Sequence, residues 1–206
     1  MIYILLFLFE FILLFVLSRF LTRRLSFLPV TLISFLFLPG VIIHELSHFL
    51  IASLFFVPVG DIEFMPQKNE DGLKLGSVSI AQTDPIRRFF IGVAPIIGGL
   101  GVIFGIFQFV EIDILPIKIL LFYLLFTIGN TMFSSKKDLE GAVTLLISVL
   151  IISIAVFFTG FRPQAAWFES NFFLSLINNF KQIDLYLIIL IGLDILIYLL
   201  VRRIKR

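Results

Sequence analysis

The stretch that decides the fold runs from Leu28 to Phe56, LPVTLISFLFLPGVIIHELSHFLIASLFF, a long apolar segment broken by a few polar side chains and one Pro-Gly pair. At about 1.5 Å per residue it exceeds the 30 Å hydrocarbon core of a bilayer, so it reads as a membrane helix with Pro39-Gly40 as a kink or break. The rest of the chain agrees with a lipid environment. Of 206 residues, 60% are hydrophobic, including 27 Phe, and only 15% are charged. A soluble domain carries about 25% charge, so this much apolar surface has nowhere to hide in water at this chain length. Six stretches are long and apolar enough to expect spans: Ile2 to Leu17, Leu28 to Phe56, Phe89 to Val110, Ile114 to Phe133, Ala142 to Thr159 and Leu185 to Val201. The first is read as a retained helix rather than a cleaved leader, since no basic residue precedes it.

The expected fold is an all-α integral membrane protein of about six transmembrane helices, forming one polytopic domain over residues 1–206. Its parts are a first helix and basic loop (1–28), a core (29–142) and accessory helices (143–206). Between the second and third spans, Asp61 to Met65 and Leu73 to Ile80 flank the turn signal Asn69-Glu70-Asp71-Gly72, which predicts a small β-hairpin within 58–83. Phe168, Phe172, Leu176 and Phe180, four residues apart beside Trp167, predict a helix lying in the headgroup region. Alternating passes put ten Lys and Arg on the N-terminal face against six on the other, so the N-terminus is expected inside, in the cell membrane. The net charge of +2 carries no basic run, which argues against nucleic acid as a partner. The expected partners are the bilayer and a membrane-spanning protein.

The chain has two His and no Cys. Both His lie in His44-Glu45-Leu46-Ser47-His48, an HExxH pattern. Four residues apart on a helix, the imidazoles share one face and can grip a single Zn²⁺, with Glu45 one step round as general base for a water molecule. Ionisable groups at membrane depth are costly unless they serve a site. A catalytic zinc takes three protein ligands, so without Cys or a third His a carboxylate must complete the set. The fourth span runs in the same direction as the second, and the segment closing it carries Asp138 and Glu140 at the face of the histidines. Asp138 is the preferred ligand and Glu140 the alternative. Asp84, Glu63 and Asp71 share that face but lie on polar loops, where a ligand is poorly held.

With HELSH in a hydrophobic helix, a polar β segment after it and a later span closing on an Asp, the chain resembles the site-2 protease family of intramembrane zinc metalloproteases. The family places Asn eight residues before its ligand Asp, and Asn130 stands eight before Asp138, which implies a substrate or oxyanion role for Asn130. Ala94-Pro95-Ile96-Ile97-Gly98 is similar to the family's Gly-Pro-x-x-Asn signature, with Gly98 at the Asn position. Gly141 follows Asp138 by three residues instead of one, and there is no PDZ-like domain, as in a compact, divergent member. The resemblance implies hydrolysis of peptide bonds in or near transmembrane segments, with the active site opening to the cytoplasm. The hairpin would offer an edge to an extended substrate. The alternative is an inactive protease-like scaffold that binds membrane helices or metal. A transporter ranks lower, since no internal repeat with paired broken helices is seen.

Overall fold

The computed structural model describes residues 2–25, 28–65, 67–69, 72–107, 113–133, 147–148, 150–160 and 171–204. They form helices α1 (Ile2–Leu25), α2 (Val30–Leu54), α3 (Pro85–Phe107), α4 (Leu115–Thr131), α5 (150–158) and α6 (Asn171–Ile204), with strands β1 (Val59–Glu63), β2 (Gln67–Asn69), β3 (Gly72–Lys74) and β4 (Ser77–Ile80) between α2 and α3. Three helices are long and apolar enough to cross a membrane: α2, α3 and the Ile183–Leu200 portion of α6. The 17-residue α4 is apolar and shorter.

Proline and capping chemistry set the helix ends. Pro29 precedes α2 and Pro116 lies in the first turn of α4, where a missing N–H costs nothing. At the start of α3, Asp84 Oδ1 accepts from the backbone N–H groups of Ile86 and Arg87, both at 3.1 Å, and Pro85 follows it as the first helical residue. The Arg87 N–H, with the Arg87 guanidinium beside it, holds the Asp84 carboxyl below its ordinary value. Asp84 is thus a cap. The C-terminus of α2 closes in a Schellman turn: Val57 N–H reaches Ala52 O, Phe56 N–H reaches Ser53 O, and Phe56 takes the left-handed φ of 56° that glycine usually supplies.

α2 is continuous through Pro39-Gly40, so of the expected kink or break the break does not occur. Pro39 has no N–H for the carbonyl of Phe35, one turn back. That carbonyl instead accepts the Tyr123 hydroxyl of α4 at 2.7 Å. One turn on, Gly40 lets α4 come closer still, because a Cβ there would run into Thr127 O and Thr131 Oγ1. These contacts, Phe35 with Tyr123 and Gly40 with Thr127 and Thr131, ascend together, so α2 and α4 are parallel, as expected.

α1 and α3 run as alternating passes require, whereas α6 corrects the reading of six such passes. Phe55 stacks on Phe90 while Ser47 meets Gly98, which sets α3 antiparallel to α2. Phe11 and Phe15 pack on Phe133, and Leu21 shares an apolar cluster with Phe126, so α1 opposes α4. On α6, Asp184 lies beside Glu10 and Tyr198 beneath Arg24 of α1. Sequence numbers rise together there, so α1 and α6 are parallel. Six alternating passes would make them antiparallel. The described residues do form six helices, but α6 starts at the end of the bundle where α4 finishes, and residues 150–160 are exposed throughout. Arg202 and Arg203 therefore end on the face opposite the start of α1, which removes the basic majority behind the inside assignment of the N-terminus. The headgroup helix expected around residues 168–180 is also revised, since Asn171–Ile204 is one helix of 34 residues. Trp167 and Phe168 lie outside the described residues.

The hairpin is present as two short antiparallel ladders. β1 pairs with β4 and β2 with β3, and Asn69 opposite Gly72 frames the turn. The β1–β4 register runs Val59 with Ile80 and Ile62 with Val78, so β1 carries one extra residue, a bulge at Gly60-Asp61. Val59 and Ile80 pack on Ala52, Val57 and Ile91, which seats the hairpin base on the junction of α2 and α3.

Candidate metal centre

The inward stripe of α2 recurs every three to four residues: Ile33, Phe37, Gly40 and Val41, His44 and Glu45, His48, Ala52. Leu46 and Leu50 point the other way and are exposed. The same periodicity that buries Phe37 therefore buries the polar groups, and His44, Glu45 and His48 are 3%, 3% and 8% exposed. Above them lies the cluster of Leu21, Leu25, Ile33, Phe37, Val41, Leu75 and Phe126, and below them that of Ala52, Val57 and Ile91. The polar triplet is thus held between two apolar plugs, six residues or about 9 Å from the end of α2.

His44 and His48 meet edge to face, ring centroids 4.9 Å apart at 83°. One donor atom from each of His44, Glu45 and His48 lies within 4.8 Å of the others, the one cluster among the described residues able to hold a metal ion. Three converging nitrogen and oxygen donors without thiolate fit Zn²⁺ or a similar divalent ion. His48 Nδ1 stands 2.8 Å from the carbonyl oxygen of Ile91 on α3. A carbonyl only accepts, so Nδ1 carries the hydrogen, and in the neutral ring Nε2 is the nitrogen with the lone pair. A ring nitrogen donating to a backbone carbonyl is the usual support of a metal-binding imidazole, which then ligates through its other nitrogen.

No family model, curated protein or solved structure matches this chain. The chemistry of the site is therefore argued from its own side chains.

Two glycines bring the surroundings to the site. Gly98 of α3 packs on Ser47, whose hydroxyl is turned back to the Ile43 carbonyl at 2.7 Å, and a Cβ at Gly98 would collide with Ser47 Oγ. An Asn at this position, as in the signature that the third span resembles, has no room here. Gly76, just before β4, sits over the triplet: a Cβ on it would stand 2.7 Å from Glu45 Oε1 and 2.6 Å from Val41 Cγ1. The preceding Leu75 is buried in the upper apolar cluster and pins that segment down.

The other expected site residues are placed as follows. Asn130 is buried in α4 and its amide donates to Asp194 Oδ1 of α6 at 2.7 Å and to the Phe126 carbonyl at 2.9 Å. It joins α4 to α6, with its nitrogen committed to those two acceptors. Asp194, which has no partner evident in the sequence, thereby gains one. Asp138 and Glu140 lie outside the described residues. Glu63 is exposed and accepts from Ser77 Oγ at 3.2 Å, within the hairpin. Sequence reasoning missed Ile91, Gly76 and the Asn130–Asp194 link. For Ile91 a signal was present in Pro95, four residues on.

Proposed function

We propose that this protein is an intramembrane zinc metalloendopeptidase of the site-2 protease type, cutting peptide bonds in or near membrane-spanning segments. The observation that carries the reading is the buried His44–Glu45–His48 triplet on one face of a membrane-length helix, with the His48 ring held through Nδ1 by the Ile91 carbonyl. Two imidazoles and a carboxylate buried together are costly unless they find partners or serve a site. The spacing is that of a hydrolytic metal site.

The ligands are His44, His48 and Asp138, with Glu140 the alternative for the third. The helix register supports Asp138. Phe35 lies level with Tyr123 and Gly40 with Thr127 and Thr131, so α4 ends beside the turn of α2 just ahead of His44. Asp138 is the first carboxylate the chain meets after that point. Bound zinc supplies Lewis-acid polarisation of the scissile carbonyl and makes water acidic enough to deprotonate near neutral pH. Glu45 takes the proton released by water and passes it to the departing amine nitrogen, so the proton count balances. The apolar clusters above and below the triplet keep bulk water from it. Among the described residues β1 and β4 pair only with each other, so each leaves an edge on which an unwound substrate can add as a strand. In the proposed membrane arrangement α1, α2, α3, α4 and α6 cross in turn.

Purified protein is expected to hold about one zinc per chain, to cleave a single-span reporter and to stop when a chelator is added. His44→Ala and Asp138→Ala lose the metal and Glu140→Ala keeps it. Zinc retained by Asp138→Ala and lost by Glu140→Ala reverses the ligand assignment. A parent free of zinc sinks the reading.

Gly76→Ala offers a second check through geometry alone. The added methyl presses on Glu45 Oε1 and Val41 and displaces the base by several tenths of an ångström. Misplacement of that order lowers turnover by about 10- to 100-fold. The zinc content is expected to stay at the parent's level, as read by metal analysis beside the cleavage assay.

A further inference from the structure

Within an α-helix the carbonyl of residue i is normally taken by the N–H of residue i+4. Pro95 lies inside α3 and has no N–H to give, so the carbonyl of Ile91 loses its helical donor. That same carbonyl is the one at 2.8 Å from His48 Nδ1. α2 and α3 are close enough for the contact because Gly98, three residues after Pro95, lets the backbone of α3 rest on Ser47, the neighbour of His48. Ile91 is itself buried at 5% exposure, so its carbonyl has no solvent to turn to.

We infer that Pro95 is a positioning residue of the metal centre: by leaving the Ile91 carbonyl without a helical donor, it fixes His48 as the Nδ1–H tautomer and aims Nε2 at the ion. The inference rests on the reading of the triplet as a metal site. An internal proline weakens a helix, and here the vacancy it creates is filled by a side chain of the HExxH motif. The same chain carries a control. Pro39 strips a donor from the Phe35 carbonyl in the same way, but that carbonyl is satisfied by Tyr123, on α4 and two turns from His44.

In Pro95→Ala the new N–H at position 95 competes for the Ile91 carbonyl. Because alanine favours the helix, the variant is expected to fold at least as well as the parent. Zinc affinity, measured by competition with a chromogenic chelator, is expected to fall about 10- to 100-fold, the usual cost of removing an outer partner of a ligating imidazole. Pro39→Ala is expected to bind zinc as the parent does. A second readout needs no metal. With only two His in the chain, ¹⁵N-histidine labelling of zinc-free protein shows each ring separately, and His48→Ala assigns the signals. The parent's His48 is expected to be held as the Nδ1–H tautomer, and Pro95→Ala to shift it towards a mixture.

Unchanged zinc affinity and an unmoved His48 signal in Pro95→Ala overturn the inference. Equal losses of affinity in Pro39→Ala and Pro95→Ala overturn it too, since they would reflect a general change in helix shape. A parent that binds no zinc defeats the metal reading instead, and the tautomer signal then decides the role of Pro95 alone.

Discussion

Glu45→Gln is expected to lower cleavage of a membrane-spanning reporter by about 10²- to 10⁴-fold, the range typical for loss of a positioned general base, while zinc remains bound. The amide is nearly isosteric with the carboxylate, so the packing beneath Gly76 and beside Val41 is retained. The imidazoles of His44 and His48 are untouched. What disappears is the capacity to accept a proton from water and hand it to the departing amine. Time courses of reporter cleavage with parallel metal analysis separate the two effects. A variant as active as the parent removes Glu45 from the chemistry and with it the endopeptidase reading. A parent and variant that both bind zinc but never cleave favour the inactive scaffold.

The second large effect is structural. Gly40→Ala is expected to cost roughly 3 kcal/mol or more, at or beyond the upper end for overpacking, because the added methyl meets a backbone carbonyl rather than a flexible side chain. Thr127 O and Thr131 Oγ1 occupy that space, and Thr131 is held by its own bond to the Thr127 carbonyl at 2.9 Å. Neither can swing aside without moving α4. Against a typical total of about 5–15 kcal/mol, such a loss is severe. Unfolding by denaturing detergent, followed by circular dichroism, measures it. Zinc content is expected to fall as well, since displacing α4 displaces the start of the segment that carries Asp138. Unaltered stability in Gly40→Ala would mean that α2 and α4 do not cross at this point.

How much of this was legible beforehand follows from what each signal encodes. The HExxH spacing is local, and a helix converts it into a shared face whatever the rest of the fold does, so His44, Glu45 and His48 came together as read. The hairpin was legible for the same reason, through alternation and a turn at Asn69 to Gly72. The direction of α6 was not. Whether a hydrophobic run makes a pass depends on what it packs against, and an apolar stretch such as 150–158 looks the same in sequence whether or not it crosses. The parallel pairing of α1 and α6 is written in distant pairs, Arg24 with Tyr198 and Glu10 with Asp184, that no periodicity reveals. The partner of Asn130 was hidden likewise: spacing tied it to Asp138, and packing ties it to Asp194, 64 residues away. Pro95 lies between these cases. Its effect on Ile91 is fixed by helix geometry, but the identity of the group that exploits the vacancy depends on how α3 lies across α2.

The shared direction of α1 and α6 separates two ends of the molecule. The hairpin, the start of α1 and the triplet belong to one side of the bundle, while the basic end of α6 lies at the opposite one. A regulator that grips Arg202 and Arg203 would touch nothing near the metal centre. Its influence would have to travel down α6 to Asp194, whose hydrogen bond to Asn130 is the handle by which a distant event would shift α4.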